Sequence, residues 1–187
     1  MLLPMRKRFI LQMLLQELLA FFQTRWLHRR FKMLNRMRNG FKLLFLLQEV
    51  PKDLMYRPNS SELWTASSED GTISIIDLRA KKLSAQIDAK VQGANRLKFT
   101  PDGNLVFISS LQSGELTIYD TRSHKEVKRL RIGHGAAGIL MDPDGSRVFV
   151  ACSADNYIAV IDLKTLEVIK HFDVGGTPDG LAWAMQQ

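Results

Sequence analysis

The stretch LMDPDGSRVFVACSADNYIAVID, residues 140–162, decides how this chain is read. It holds a Pro-Asp-Gly turn, two apolar segments of strand length and a closing aspartate. KFTPDGNLVFISSLQSGELTIYD, residues 98–120, repeats the pattern, and MYRPNSSELWTASSEDGTISIID, residues 55–77, gives it once more. The register is strict. Trp64, Phe107 and Phe149 are spaced by 43 and 42 residues, and so are Asp77, Asp120 and Asp162, and Pro58, Pro101 and Pro143. Three kinds of anchor held in step identify a tandem repeat. The extra residue of the first unit falls between Asp77 and Pro101.

Each unit has the chemistry of four short strands. RVFVAC and LVFISS are β-branched and aromatic runs. YIAVID, ELTIYD and TISIID alternate apolar and polar residues, the mark of a half-buried strand. Turn residues (SADN, LQSG, SEDG) separate the two runs. A third alternating run follows each aspartate: EVIKHFDV, EVKRLRI or KLSAQID. A fourth (GLAWA, GILMD, RLKFT) precedes the next turn. Four antiparallel strands per unit of about 42 residues, with no helical period, describe a propeller blade. The predicted fold is therefore all-β: a partial β-propeller of about three four-stranded blades plus one extra inner strand. The blades are expected near 53–89, 94–132 and 137–174, with the lone strand at 179–185. Pro51, Leu54 and Tyr56 match Pro178, Leu181 and Trp183, so the repeat begins near residue 50. Three blades do not close a ring, which needs roughly four to eight. The reading is a fragment of a longer propeller.

Composition divides the chain at the same place. Residues 1–50 carry ten Lys/Arg against two acids, a net +8, and residues 51–187 carry sixteen against seventeen, a net −1. The basic pI belongs to the leader, so no nucleic-acid footprint is expected on the repeats. Residues 1–48, rich in Leu, Phe and Arg, form a basic segment expected to be helical. Three readings fit it: a signal or membrane anchor, an amphipathic helix in contact with a membrane surface or partner, or sequence that is not native coding sequence. Gln12, Gln16 and Glu17 interrupt the apolar run, short of the ~18 residues a spanning helix needs, and no small-residue cleavage site follows.

PDGSRVFVACSADNYIAVIDLKTLEVIKHFDVGGTPDGLAW resembles the YVTN-type β-propeller repeats of bacterial surface and periplasmic proteins. The matching positions are Pro143-Asp144-Gly145, Val148 to Cys152, Val160-Ile161-Asp162, Thr165 to Val168, Val174-Gly175, Pro178 and Gly180. Asn59-Ser60 departs from Asp-Gly in the first unit, and Ala136 stands where Pro is expected in the third. The resemblance covers about 50–187 and implies an extracytoplasmic location and a non-enzymatic binding scaffold. Related propellers bind haem d1 or quinohaem groups, or act on sugar-acid lactones. The alternative is thus the C-terminal part of such an enzyme or electron-transfer protein, with cofactor ligands on other blades.

No nucleotide-binding, HExxH or CxxC motif is present. Cys152, the single cysteine, ends a strand and is expected to be a small buried residue. His28 lies in the leader, and His124 and His171 are expected at the surface. His134, in the Gly-rich IGHGAAG connection, is the candidate ligand-binding residue, with Asn95, Arg96 and Asp179 near it in register. Asp77, Asp120 and Asp162 recur at one position in every unit. A catalytic site breaks repeat symmetry, so these three are expected to be turn residues, as are Pro101, Gly103, Pro143 and Gly145. No catalytic residue, metal site or cofactor is assigned. Partners are expected to be proteins, or further copies of the chain, docking through open blade edges.

Overall fold

A computed structural model of the chain describes residues 53–184. The basic leader and its expected helix lie outside the described residues. The strands are β1 (Asp53–Tyr56), β2 (Glu62–Ala66), β3 (Thr72–Asp77), β4 (Lys82–Asp88), β5 (Ala94–Phe99), β6 (Leu105–Ser110), β7 (Glu115–Asp120), β8 (Glu126–Arg131), β9 (Ala136–Met141), β10 (Arg147–Cys152), β11 (Tyr157–Asp162) and β12 (Glu167–Asp173). They form three antiparallel sheets in meander order, β1 to β4, β5 to β8 and β9 to β12. Neighbouring sheets pack face to face as propeller blades do. The connection from β4 to β5, residues 89–93, is one residue longer than that from β8 to β9, residues 132–135.

The alternation read in sequence becomes the faces that neighbouring blades bury against each other. Trp64, Ile73 and Ile75 of the first blade are buried against Phe99, Val106 and Ile108 of the second. Phe107, Leu116 and Ile118 of the second are buried against Met141, Val148 and Val150 of the third. Trp64 has no exposed surface, meets the Phe99 ring edge-on at 5.8 Å, and gives its Nε1–H to Glu62 at 3.0 Å. Burying aromatics of this size supplies most of the packing energy of such a contact. The outer strands β4 and β12 are mostly exposed.

The turn between the third and fourth strand of each blade is built the same way three times. Asp77 Oδ1 accepts the N–H groups of Arg79 and Ala80, at 2.7 and 3.0 Å. Asp120 Oδ1 accepts those of Arg122 and Ser123, and Asp162 Oδ1 those of Lys164 and Thr165. Four residues after each aspartate the chain enters the left-handed region, at Lys81, His124 and Leu166. Two further features repeat in every blade. The pairing of third and fourth strands slips at Ile75/Ile76, Ile118/Tyr119 and Val160/Ile161, one bulge per blade at the same register. The residue just before the third strand, the last of each SEDG, LQSG or SADN turn, also has positive φ, at Gly71, Gly114 and Asn156. A Cβ at Gly114 would collide with the Gly133 carbonyl, so glycine is required there by space as well as by angle.

Two expectations change. His124, read as a surface residue, is half-buried: the left-handed turn swings its ring edge-on to Trp64 of the first blade, at 5.4 Å. The lone strand expected at 179–185 forms no ladder over its described residues. Residues 179–184 lie against the third blade, but no strand among the described residues pairs with their backbone, and a strand exists only through such pairing. The Asn59-Ser60 departure also has its reason. The first turn places its left-handed residue at Asn59, one position earlier than Gly103, and Ser60 Oγ takes the Glu62 N–H as Asp102 Oδ1 takes that of Asn104.

Candidate functional site

The connection Ile132-Gly133-His134-Gly135 carries the candidate histidine. Gly133 and Gly135 both have positive φ, which lets the loop fold down onto the turn between β10 and β11. There Asp155 takes hold of it. Asp155 Oδ2 accepts the His134 backbone N–H at 2.6 Å, and Oδ1 lies 3.0 Å from His134 Nδ1. These bonds, the backbone one foremost, hold the Asp155 carboxyl below its ordinary range. The His134 ring is 68% exposed, with its Nε2 edge free of the carboxylate.

Beneath the loop lie Tyr157 and Cys152. Tyr157 OH donates to the Ile132 carbonyl at 2.8 Å, and burial, then the nearby thiol, push its phenol up to about 12. Cys152 Sγ is 3.6 Å from the same carbonyl, and burial, then Asp155, push the thiol up to about 11. A thiol so raised stays protonated at neutral pH and is a poor nucleophile. Gly133 is where these groups meet, since a Cβ there would strike Tyr157 OH and crowd Asp155 Oδ2 and Cys152 Sγ.

The other candidates sit elsewhere. Asn95 is buried at the start of β5. Arg96, next to it, gives its backbone N–H to Ser109 Oγ and a guanidinium N–H to the Asn95 carbonyl. Asp179 is exposed, and its carbonyl occupies the space that a Cβ on Gly138 would need. No hydrogen bond or ion pair among the described residues joins His134 to Asn95, Arg96 or Asp179.

Sequence reasoning missed two carboxylates. Asp155 was hidden inside a turn motif. The available signal was that only the third unit pairs a histidine before the inner strand with an aspartate 21 residues on. Asp53, in β1, was missed as well. Its Oδ2 accepts the Leu97 N–H of β5 at 2.9 Å and its Oδ1 accepts the Leu54 N–H, so it ties the first two blades together at their inner strands. Burial raises its carboxyl above the ordinary value, against the lowering effect of the Leu97 bond and of Arg96. Among the described residues no three metal-ligating side chains converge.

Comparison with known proteins places the chain among propellers of several kinds. A solved structure of hydrazine synthase from Kuenenia stuttgartiensis superposes with a TM-score of 0.66 at 26% identity, covering 70% of this chain and 38% of that one. A protein described as a 6-phosphogluconolactonase from Bacteroides fragilis superposes with a TM-score of 0.61 at 18% identity, covering 70% of this chain and 40% of its own, a likeness of fold alone. The histone-binding protein MSI1 of Saccharomyces cerevisiae is 26% identical over 87 residues, 46% of this chain and 21% of the yeast protein. The chain thus spans about two fifths of the length of either structure. The family profile described as cytochrome D1 heme domain matches residues 51–145, just over half of the chain. With that match over the first two blades, the chain belongs to the cytochrome D1 haem domain family of β-propellers.

Proposed function

We propose that this chain is a non-enzymatic propeller scaffold with YVTN-type repeats, working outside the cytoplasm and binding a protein partner. The observation that supports this reading is where its polar groups go. The turn carboxylates of Asp77, Asp120 and Asp162 take backbone N–H groups. The Arg129 guanidinium is held by Glu126, Glu115 and the Ala89 carbonyl. Asp155 takes His134. These are bonds that hold blades and loops in place, not a constellation poised over a substrate.

The family match favours a second reading, a segment of a haem-binding propeller. A haem needs an axial ligand aimed into an apolar cradle, together with hydrogen-bond partners for its polar groups. The described residues do not fit this group. His134 stands exposed on a loop, His124 lies against Trp64, and His171 lies against Tyr157 on the outermost strand. On this reading the ligands belong to polypeptide beyond the described residues.

One titration separates the two readings. Haemin is added to the full chain and the Soret band is followed. The scaffold reading expects only the free-haemin spectrum. A saturable one-to-one spectrum that survives in His134→Ala would overturn it in favour of the second, whose ligands lie beyond the described residues.

A further inference from the structure

The loop between β8 and β9 is held down differently from its counterpart one blade earlier. By the repeat distance, Gln92, Ser110, Ser113 and Glu115 stand where His134, Cys152, Asp155 and Tyr157 stand. Ser110 Oγ fastens the earlier loop by donating to the Gln92 carbonyl at 2.6 Å, and Ala89 and Val91 of that loop are buried in the core. Cys152 puts a weak donor in place of that hydroxyl, 3.6 Å from the Ile132 carbonyl. The fastening passes to the Asp155 carboxylate, through the His134 N–H and Nδ1. Four register positions thus change together in the third blade.

Residues 133–135 put no side chain into the core. His134 is exposed, and the residues on either side of it are glycines. The closed position of this tip rests on the Asp155 bonds and on backbone bonds from the neighbouring turn. These run from the Ser153 N–H to the Gly135 carbonyl at 3.0 Å and from the Ala154 N–H to the His134 carbonyl at 3.3 Å. Segments held by polar bonds near solvent, without buried apolar surface, open locally at low free energy. The ends of the loop are firm. Ile132 is buried and its carbonyl takes the Tyr157 hydroxyl at 2.8 Å, and Ala136 is buried in β9. Gly133 and Gly135, just inside those ends, have the backbone freedom of hinges. Beneath the tip lies Cys152, with no exposed surface, its Sγ 3.0 Å from where a Cβ on Gly133 would stand.

We propose that residues 133–135 are a hinged lid, latched by the Asp155 carboxylate, that opens while the blades stay folded and so controls access from solvent to Cys152. The latch, rather than the stability of the whole fold, then sets how fast the thiol meets a dissolved reagent. The lid works in the same way whatever the propeller binds, so it stands apart from both the scaffold and the haem readings.

The full chain carries its own reporter, its single cysteine. Dithiobisnitrobenzoate is added in excess at one fixed pH, and release of thionitrobenzoate is followed. The Cys152 thiolate attacks one sulfur of the probe, whose S–S bond breaks. A mixed disulfide forms, thionitrobenzoate leaves and the thiol proton goes to solvent. Asp155→Ala should speed labelling roughly tenfold or more, the usual effect of losing a hydrogen bond to a charged group. Asp155→Asn removes the same charge from beside the thiol but keeps an acceptor oxygen, and should retain most of the protection. Low urea should leave the wild-type rate nearly unchanged, because so short a lid exposes little surface. By NMR, the His134 amide should exchange faster in Asp155→Ala while the ladder amides of β10 and β11 keep their rates. Equal labelling of wild type and Asp155→Ala overturns the proposal. So does equally fast labelling of the Ala and Asn variants, which would assign the effect to charge beside the thiol. A wild-type rate that climbs steeply with urea from the outset overturns it as well, being the mark of global unfolding. Faster exchange across β10 and β11 in Asp155→Ala does the same, since the blade and not the lid would then be opening.

Discussion

Single carboxylates in this protein act with opposite signs. Asp77, Asp120 and Asp162 are held below the ordinary carboxylate value, first of all by the backbone N–H groups they accept. A lowered folded-state value stabilises the fold above the ordinary value of about 4 and loses that effect as pH falls through the lowered one. The melting temperature should therefore drop below about pH 4, and the triple replacement of these aspartates by asparagine should flatten that drop, as followed by circular dichroism. Asp53 is raised instead, chiefly by burial. Its ionisation costs stability as pH climbs from the ordinary value through the raised one, and the cost persists above it. Asp53→Asn should remove that acid-side slope. Asp53→Ala should instead leave the buried Leu97 N–H without its acceptor and cost about 1–3 kcal/mol in denaturant unfolding. A smaller loss would show that Asp53 does not tie the two blades. The turn aspartates were legible because one residue type recurs at one spacing. Asp53 was not, because the other units hold Arg96 and Gly138 at its register, and its partner is a backbone group far away in sequence.

At the scale of strands, the buried middle of each blade carries the stability. Trp64→Ala removes a fully buried ring together with its contact to Phe99, and should cost about 3–5 kcal/mol. A loss under 1 kcal/mol would mean the contact between the first two blades is not a packed core. Thr117, in β7, gives the converse case. Its hydroxyl is buried with no hydrogen-bond partner, and its register counterparts are Ser74 and Ala159. Thr117→Val keeps the shape and removes the unpaired group, so the melting temperature should hold or rise. The strands themselves were readable from period-2 alternation. The repeated bulge between third and fourth strands was not, because it arises from pairing register and twist, and no residue type announces it.

For the whole molecule, the boundary near residue 50 separates a strongly basic leader from a nearly neutral set of blades. Deleting residues 1–48 should leave the β-type circular dichroism spectrum intact, and loss of that spectrum would show that the blades need the leader to fold. The number of blades, their strand order and the placing of turns were determined by the sequence alone, since period and alternation are local properties that four short strands satisfy in only one simple way. The tertiary structure alone decided which groups meet between blades and loops. Asp155 reaching His134, Asp53 reaching Leu97, and Trp183 seated on Phe149 without a ladder all join residues remote in the chain. Such contacts depend on how far one blade is turned against the next, and no single repeat encodes that angle.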